Sequence, residues 1–198
     1  SKSLGNSPDP LEIMAKYGAD ALRFTITFLA PAGQDIRFAA EQVEIGRNFA
    51  NKLWNASRFV LMNLTEPEKY DITRLEAVNP QASVWDRWIL SRLMNAIDLV
   101  RKYLSDGHYR FNDSIRSVYE FIWDEFCDWY IEMTKPTLFG PDGPAKEAAR
   151  QTLVRILDTA FRLLHPFMPH ITEEIWQKLP GAQGMLINSA FPKVNSAL

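Results

Sequence analysis

The sequence predicts an all-α fold, an up-and-down helical bundle with a smaller N-terminal unit in front of it. Three observations favour this class. Apolar residues recur at helical spacing along four long segments, proline, glycine and polar residues separate these segments, and 46% of the 198 residues are hydrophobic. A chain of this length and composition buries well over half of its unfolded surface. The sequence has no glycine-rich phosphate loop, which argues against an enzyme built on a parallel sheet.

The predicted N-terminal unit contains two short helices. The first begins after Asp9, which caps it, with Pro10 at the first helical position, and it ends at Gly18. The second covers residues 19–29, where a Phe-Thr-Ile-Thr-Phe alternation leaves a strand as an open alternative. A loop over residues 32–38 follows these helices.

The rest of the chain is predicted to form the bundle itself. Each of its long helices has an apolar stripe at 3.6-residue spacing opposite a polar face. A linker over residues 65–82 follows the first helix, and Pro136 is expected to end the third. A last short helix is expected to end near Leu179, and residues 185–187 are interpreted as a short strand. The long helices are predicted at residues 41–64, 83–103, 113–133 and roughly 145–164.

Charge, cysteine and histidine content limit the function classes. The formal net charge is -2, so any nucleic acid must be bound by a local face, or by a larger protein of which this chain is one piece, rather than by a generally basic surface. Cys127 is the only cysteine, which excludes a disulfide framework and indicates a reducing, cytoplasmic compartment. Two prolines between His165 and His170 rule out helical ligand spacing, so no metal site is predicted. No apolar run is long enough to predict a membrane span.

One face of the first long helix combines the chemistry that single-stranded RNA requires. On a helical wheel of about 100° per residue, Trp54 and Phe59 flank a polar sector that lies opposite the apolar stripe. Guanidinium and amide groups can bind phosphates and base edges, while aromatic rings stack on unpaired bases. Packing against a neighbouring helix is the alternative for both rings. The polar sector holds Arg47, Asn51, Asn55 and Arg58.

Six motifs stand in an order and spacing typical of one enzyme family. They resemble the class I aminoacyl-tRNA synthetases, with residues 1–6 similar to the end of the KMSKS signature. The Asn-Lys-Leu-Trp-Asn-Ala run within the fourth motif points to the valyl-tRNA synthetase family. The motifs are residues 1–6 (SKSLGN), 17–23 (YGADALR), 33–38 (GQDIRF), 47–59 (RNFANKLWNASRF), 126–130 (FCDWY) and 165–176 (HPFMPHITEEIW).

The resemblance implies that residues 1–45 hold the end of the KMSKS loop and a stem-contact unit. It implies that residues 46–198 form the helical anticodon-binding domain. Lys2 matches the second lysine of the signature, which in the family stabilises the phosphates of ATP and the departing pyrophosphate. ATP with magnesium is therefore implied for a parent enzyme that joins valine to tRNA(Val). No cofactor is implied for this fragment, which is expected to be inactive alone.

The resemblance also implies that Arg37 and Phe59 contact the anticodon side of tRNA(Val). The other predicted RNA contacts come from the helical wheel and not from the family: Arg47, Asn51, Asn55 and Arg58. The implied partners are tRNA(Val) and the remaining domains of the same synthetase, in a cytoplasmic monomer without membrane contact. Two alternatives stay open, namely a helical domain that binds another protein and the equivalent domain of an isoleucyl- or leucyl-tRNA synthetase.

Overall fold

The structure is a computed structural model that describes residues 9–31, 33–35, 38–75, 78–105, 107 and 109–194. Every regular element within these residues is helical, so the predicted all-α class is confirmed. A π-helical segment, Phe121–Tyr130, joins the fifth and sixth α-helices. The α-helices are α1 (Pro10–Tyr17), α2 (Ala19–Leu29), α3 (Glu44–Met62), α4 (Val84–Ser105), α5 (Phe111–Glu120), α6 (Ile131–Phe139), α7 (Pro144–Leu164) and α8 (Pro169–Trp176).

The two N-terminal helices begin and end where local chemistry predicts. The Asp9 carboxylate accepts a hydrogen bond from the backbone N–H of Leu11 at 2.9 Å, and Gly18, with φ of 92°, ends α1. The strand alternative for residues 19–29 is wrong. Phe24 is fully buried whereas Ile26, two residues later, is exposed, which is the periodicity of a helix and not of a strand.

The bundle encloses one main hydrophobic core. α3, α4, α5, the π-helical segment, α6, α7 and α8 all contribute buried side chains to it, and Phe24 of α2 joins them. α7 is buried on several sides and packs against α3, α4, α5, α6 and α8. A smaller cluster under α1 contains Ile13, Tyr17, Ala21, Leu22 and Val43. No helix of the described ranges is both long and apolar enough to cross a membrane.

A continuous helical run from Phe111 to Phe139 replaces the shorter helix predicted over residues 113–133. The prediction that Pro136 ends this helix is wrong, because α6 continues through it to Phe139. Leu138, in the last turn, is buried in the main core. Its apolar contacts offset the backbone hydrogen bond that Pro136 cannot donate.

The C-terminal segment differs from its prediction in two ways. α8 ends at Trp176 and continues as turns rather than as helix to Leu179. The short strand expected at residues 185–187 is wrong, since a single 3₁₀ turn, Leu186–Asn188, occupies this place. The backbone N–H of Leu186 donates to Oε2 of Glu173 at 3.0 Å, so a carboxylate takes the hydrogen bond that a neighbouring strand would take.

α2 positions both α3 and α8. The Asp20 carboxylate accepts from the backbone N–H of Ile171 at 2.6 Å, which caps the first turn of α8 from another helix. Arg23 donates to the carbonyl of Pro166 at 2.9 Å. A Cβ on Gly46 of α3 would lie 2.3 Å from the carbonyl oxygen of Ala21. The two helices therefore cross in backbone contact.

Candidate nucleic-acid interface

α3 exposes a polar face along its length. Asn51, Asn55 and Arg58 are exposed, and within the described part of the chain their side chains make no hydrogen bond or ion pair. The opposite face buries the predicted stripe of Phe49, Leu53, Ala56 and Val60. Because that stripe is fixed in the core, the two free amides and the guanidinium lie in line over about 10 Å of helix. They are donors and acceptors held on a rigid support.

Arg47 is set apart from this group. Its Nη2 lies 3.5 Å from Oε1 of Glu44, and its guanidinium lies 5.6 Å from the centre of the Tyr17 ring. These contacts direct Arg47 toward α1. Along the axis of α3 it stands about 16 Å from Arg58. The structure therefore brings three of the four polar residues of the wheel together and gives the fourth internal partners.

Phe59 lies at the edge of α3 that faces α6. It is half-buried and packs against the main core. Part of the ring therefore packs against the bundle, as the alternative interpretation expected. Phe139 meets it edge-on, with ring centroids 6.4 Å apart and planes at 90°. The Lys135 ammonium lies 6.0 Å from the Phe59 ring centre. The ring is thus held in place with a cation beside it.

Trp54 lies at the other edge of α3, which faces α8. Its side chain is 42% exposed, and the Lys178 ammonium lies 5.8 Å from its ring centre. The polar face consequently has an aromatic ring and a lysine on each side. Sequence reasoning missed Lys135, Phe139 and Lys178. For Phe139, the sequence offered one signal of a surface position, which is its place directly before a Gly-Pro turn.

Two predicted site residues, Lys2 and Arg37, lie outside the described residues. The next residue after Arg37, Phe38, packs on the small N-terminal cluster. His165 has a structural role. Its Nδ1 lies 2.8 Å from Oγ1 of Thr172, and burial lowers the pKa of its imidazole. Across the described ranges, no group of histidine, cysteine and carboxylate side chains is placed to hold a metal ion.

Cys127 is expected to resist alkylation by iodoacetamide in the folded chain. Burial raises the pKa of its thiol to about 12, and the thiolate is the reactive form. Compared with an ordinary cysteine, about a thousandfold less thiolate is present near pH 8, since each pKa unit changes the fraction about tenfold. Mass spectrometry of the alkylated chain in buffer and in denaturant measures the difference. Equal rates in both would contradict a buried thiol.

An exposed helix face that carries amides and a guanidinium between two aromatic rings has the chemistry that RNA-recognition domains use. The comparisons with known families agree. Residues 86–198 match the family described as "Anticodon-binding domain of tRNA ligase", and residues 1–39 match "tRNA synthetases class I (I, L, M and V)". The chain belongs to the family of anticodon-binding domains of tRNA ligases.

Valine-tRNA ligases of about 50% identity are among its curated relatives, which confirms the resemblance to the valyl family. The enzyme of Symbiobacterium thermophilum is 53% identical over 180 residues, covering 91% of this chain and 19% of the relative. An enzyme of Bacillus cereus is 49% identical over 200 residues, covering 100% and 22%. An enzyme of Listeria innocua is 50% identical over 195 residues, covering 98% and 21%. The chain spans about a fifth of the length of these relatives.

Two solved structures share the fold. A LeuRS of Agrobacterium radiobacter K84, in a ternary complex with tRNA and LeuAMS, superposes with a TM-score of 0.71 at 24% identity, covering 98% of this chain and 22% of that one. The methionyl-tRNA synthetase of Mycobacterium tuberculosis, with methionyl-adenylate, gives 0.69 at 20% identity, covering 88% and 34%. At these identities the likeness concerns the fold alone.

Proposed function

We propose that the chain is the anticodon-recognition part of a valine-tRNA ligase and reads the anticodon loop of tRNA(Val). The observation that carries this proposal is the α3 face, where free amides and a guanidinium lie between two aromatic rings. The bases of an RNA loop are unstacked, and proteins recognise them by stacking and by hydrogen bonds to their edges. The relatives described above, each named valine-tRNA ligase, support the choice of RNA.

In this mechanism each group on α3 has a different task. Phe59 stacks on one loop base, Asn51 and Asn55 exchange hydrogen bonds with base edges, and Arg58 binds a phosphate or a guanine edge. Because α3 is packed along its apolar face and Phe139 supports the Phe59 ring, little conformational freedom is lost on binding. A net charge of -2 keeps non-specific affinity low, so contacts to bases decide which RNA is bound.

The wider assignments belong to the same proposal. Residues 1–45 form the KMSKS loop end and stem-contact unit, residues 46–198 form the anticodon-binding domain, and Arg37 adds a contact on the anticodon side. The whole enzyme, a cytoplasmic monomer, joins valine to tRNA(Val) with ATP and magnesium, and Lys2 stabilises the ATP phosphates. The described residues offer no cluster of carboxylates that fits magnesium. Because the chain spans about a fifth of the length of its relatives, it is expected to be inactive alone.

Titration of the 198-residue chain with tRNA(Val) tests the proposal. The competitor is the same tRNA with its three anticodon bases exchanged, so that length, charge and stem sequence are matched. We expect tighter binding of the unchanged tRNA at moderate salt, because base contacts distinguish the two RNAs whereas phosphate contacts do not. Equal affinities would contradict anticodon recognition by this chain.

Phe59→Ala is expected to weaken binding of tRNA(Val) by about 1 to 3 kcal/mol, the usual contribution of one stacked base. Phe111→Ala is the matched control, because Phe111 is exposed and lies at the far end of the helical run that carries Phe139. Fluorescence anisotropy with labelled tRNA measures both affinities. If the two variants bind equally well and both are folded, Phe59 does not stack on a base.

A further inference from the structure

A groove opens between α3 and α8, on the opposite side of Arg58 from Phe59. Its volume is about 280 Å³, near the lower end of the range of about 300 to 1,000 Å³ that small-molecule sites occupy. This size suits a single flat ring system rather than a large cofactor. The groove is lined by Trp54, Ser57, Arg58, Leu61, Met62, Ile175 and Lys178.

The lining of the groove is mainly apolar. Ile175 of α8 is buried at its base, and the Trp54 ring forms one wall. Met62 is exposed at the side and has a flexible, polarisable side chain that adapts to different ring shapes. The Ser57 hydroxyl donates to the carbonyl of Leu53 at 2.7 Å. The serine is therefore occupied within its own helix, and stacking is the interaction that the interior offers.

Two cationic side chains, Arg58 and Lys178, line the groove. The Arg58 guanidinium has no acidic partner among the described residues. Lys178 stays beside the Trp54 ring, at 5.8 Å from its centre, and is held there by an ion pair with Glu174. None of the residues that line the groove carries a carboxylate. An apolar groove with the Arg58 guanidinium beside it is complementary to a flat ring attached to an anionic backbone.

We propose that this groove binds one base extruded from the RNA loop, stacked on Trp54 with its phosphate at Arg58. The inference rests on the proposed function and adds a second base site to it. α3 then acts as a ridge with one stacking ring on each side, Phe59 toward α6 and Trp54 toward α8. On the helical wheel the two rings point about 140° apart, so the loop straddles the helix and splays its bases to both sides.

Trp54→Leu tests the groove, because leucine keeps an apolar side chain and removes the ring. The probe is the anticodon stem-loop RNA of tRNA(Val), titrated into the 198-residue chain. We expect binding about 10- to 100-fold weaker than that of the unchanged chain, the usual range for one stacked base. Trp85→Leu is the matched control, since Trp85 is 46% exposed against 42% for Trp54 and lies at the start of α4. It is expected to stay within about twofold, as a residue outside the contact surface does.

A set of stem-loops that each lack one loop base identifies the occupant. With the unchanged chain, loss of the base that fills the groove weakens binding, whereas with Trp54→Leu the same loss has no further effect. If Trp54→Leu binds like Trp85→Leu while Phe59→Ala is weakened, the groove is not a base site and the proposed function stands. If Trp54→Leu and the loss of each loop base weaken binding independently at every position, the groove proposal is also contradicted, because the Trp54 ring would then contact none of these bases. If changes to the anticodon leave binding unaltered, the proposed function fails and the groove fails with it.

Discussion

Replacing Gly46 by alanine is expected to destabilise the chain by about 3 kcal/mol or more, at the upper end of overpacking changes. The new Cβ would lie 2.3 Å from the carbonyl oxygen of Ala21 and 2.8 Å from the Oγ1 of Thr25. In an isolated helix the same change gains about 1 kcal/mol of helix propensity. The steric term decides the sign, because the closest atom belongs to the backbone of α2 and cannot rotate away.

Chemical denaturation followed by circular dichroism measures this change. Gly143→Ala is the matched control, since a Cβ at Gly143 meets no atom within 4 Å and its φ of 164° is extended backbone. We expect the control to lose less than about 1 kcal/mol, the usual cost of a poorer helix cap. A Gly46→Ala chain as stable as this control would show that α2 and α3 do not cross in backbone contact.

Gly46→Ala is also expected to alter the proposed RNA interface. α2 contacts α3 at Gly46 and caps α8 through Asp20, and the groove at Trp54 lies between α3 and α8. A shift of α2 away from α3 therefore changes the spacing of both walls of the groove. Weaker stem-loop binding is expected wherever the variant remains folded, and native resistance of Cys127 to alkylation identifies that folded fraction.

The sequence could predict those features that neighbouring residues decide. Asp9 and Pro10 start a helix, and Gly18 ends it, through hydrogen bonds and dihedral preferences that act within one turn. The exposed face of α3 followed from its apolar stripe alone, because a helix that buries one side must expose the other. Asn51, Asn55 and Arg58 were found in this way. The contacts that they make with RNA remain predictions.

Features that depend on distant segments could not be predicted. Pro136 is tolerated inside a helix because Leu138 reaches the core. Residues 185–187 have the composition of a strand, but the N–H of Leu186 donates to the Glu173 carboxylate instead of to a neighbouring strand. Phe139, at the end of α6, and Lys178, in the turn after α8, join the interface from positions far along the chain. An isolated glycine at position 46 has no signature in the sequence, since its role is set by a backbone that crosses it.

Asp86→Ala is expected to destabilise the chain by about 2 to 5 kcal/mol, because one carboxylate makes two structural contacts. Its Oδ2 accepts from the backbone N–H of Ser83 at 2.7 Å, while Ser83 Oγ accepts from the N–H of Asp86 at 3.1 Å, a capping box that starts α4. Loss of such a cap costs about 1 to 2 kcal/mol. Its Oδ1 accepts from the hydroxyl of Tyr130, and a buried polar group that loses its partner costs about 1 to 3 kcal/mol more.

Two further variants separate these contributions in the same denaturation measurement. Ser83→Ala removes part of the cap and leaves the tyrosine contact, so we expect a loss of about 1 kcal/mol. Tyr130→Phe removes the buried hydroxyl together with its partner's hydrogen bond, and a loss of about 1 to 2 kcal/mol is expected. Asp86 is only 2% exposed, so water cannot replace either partner. A loss below 1 kcal/mol for Asp86→Ala would show that α4 is held at this end by apolar packing alone.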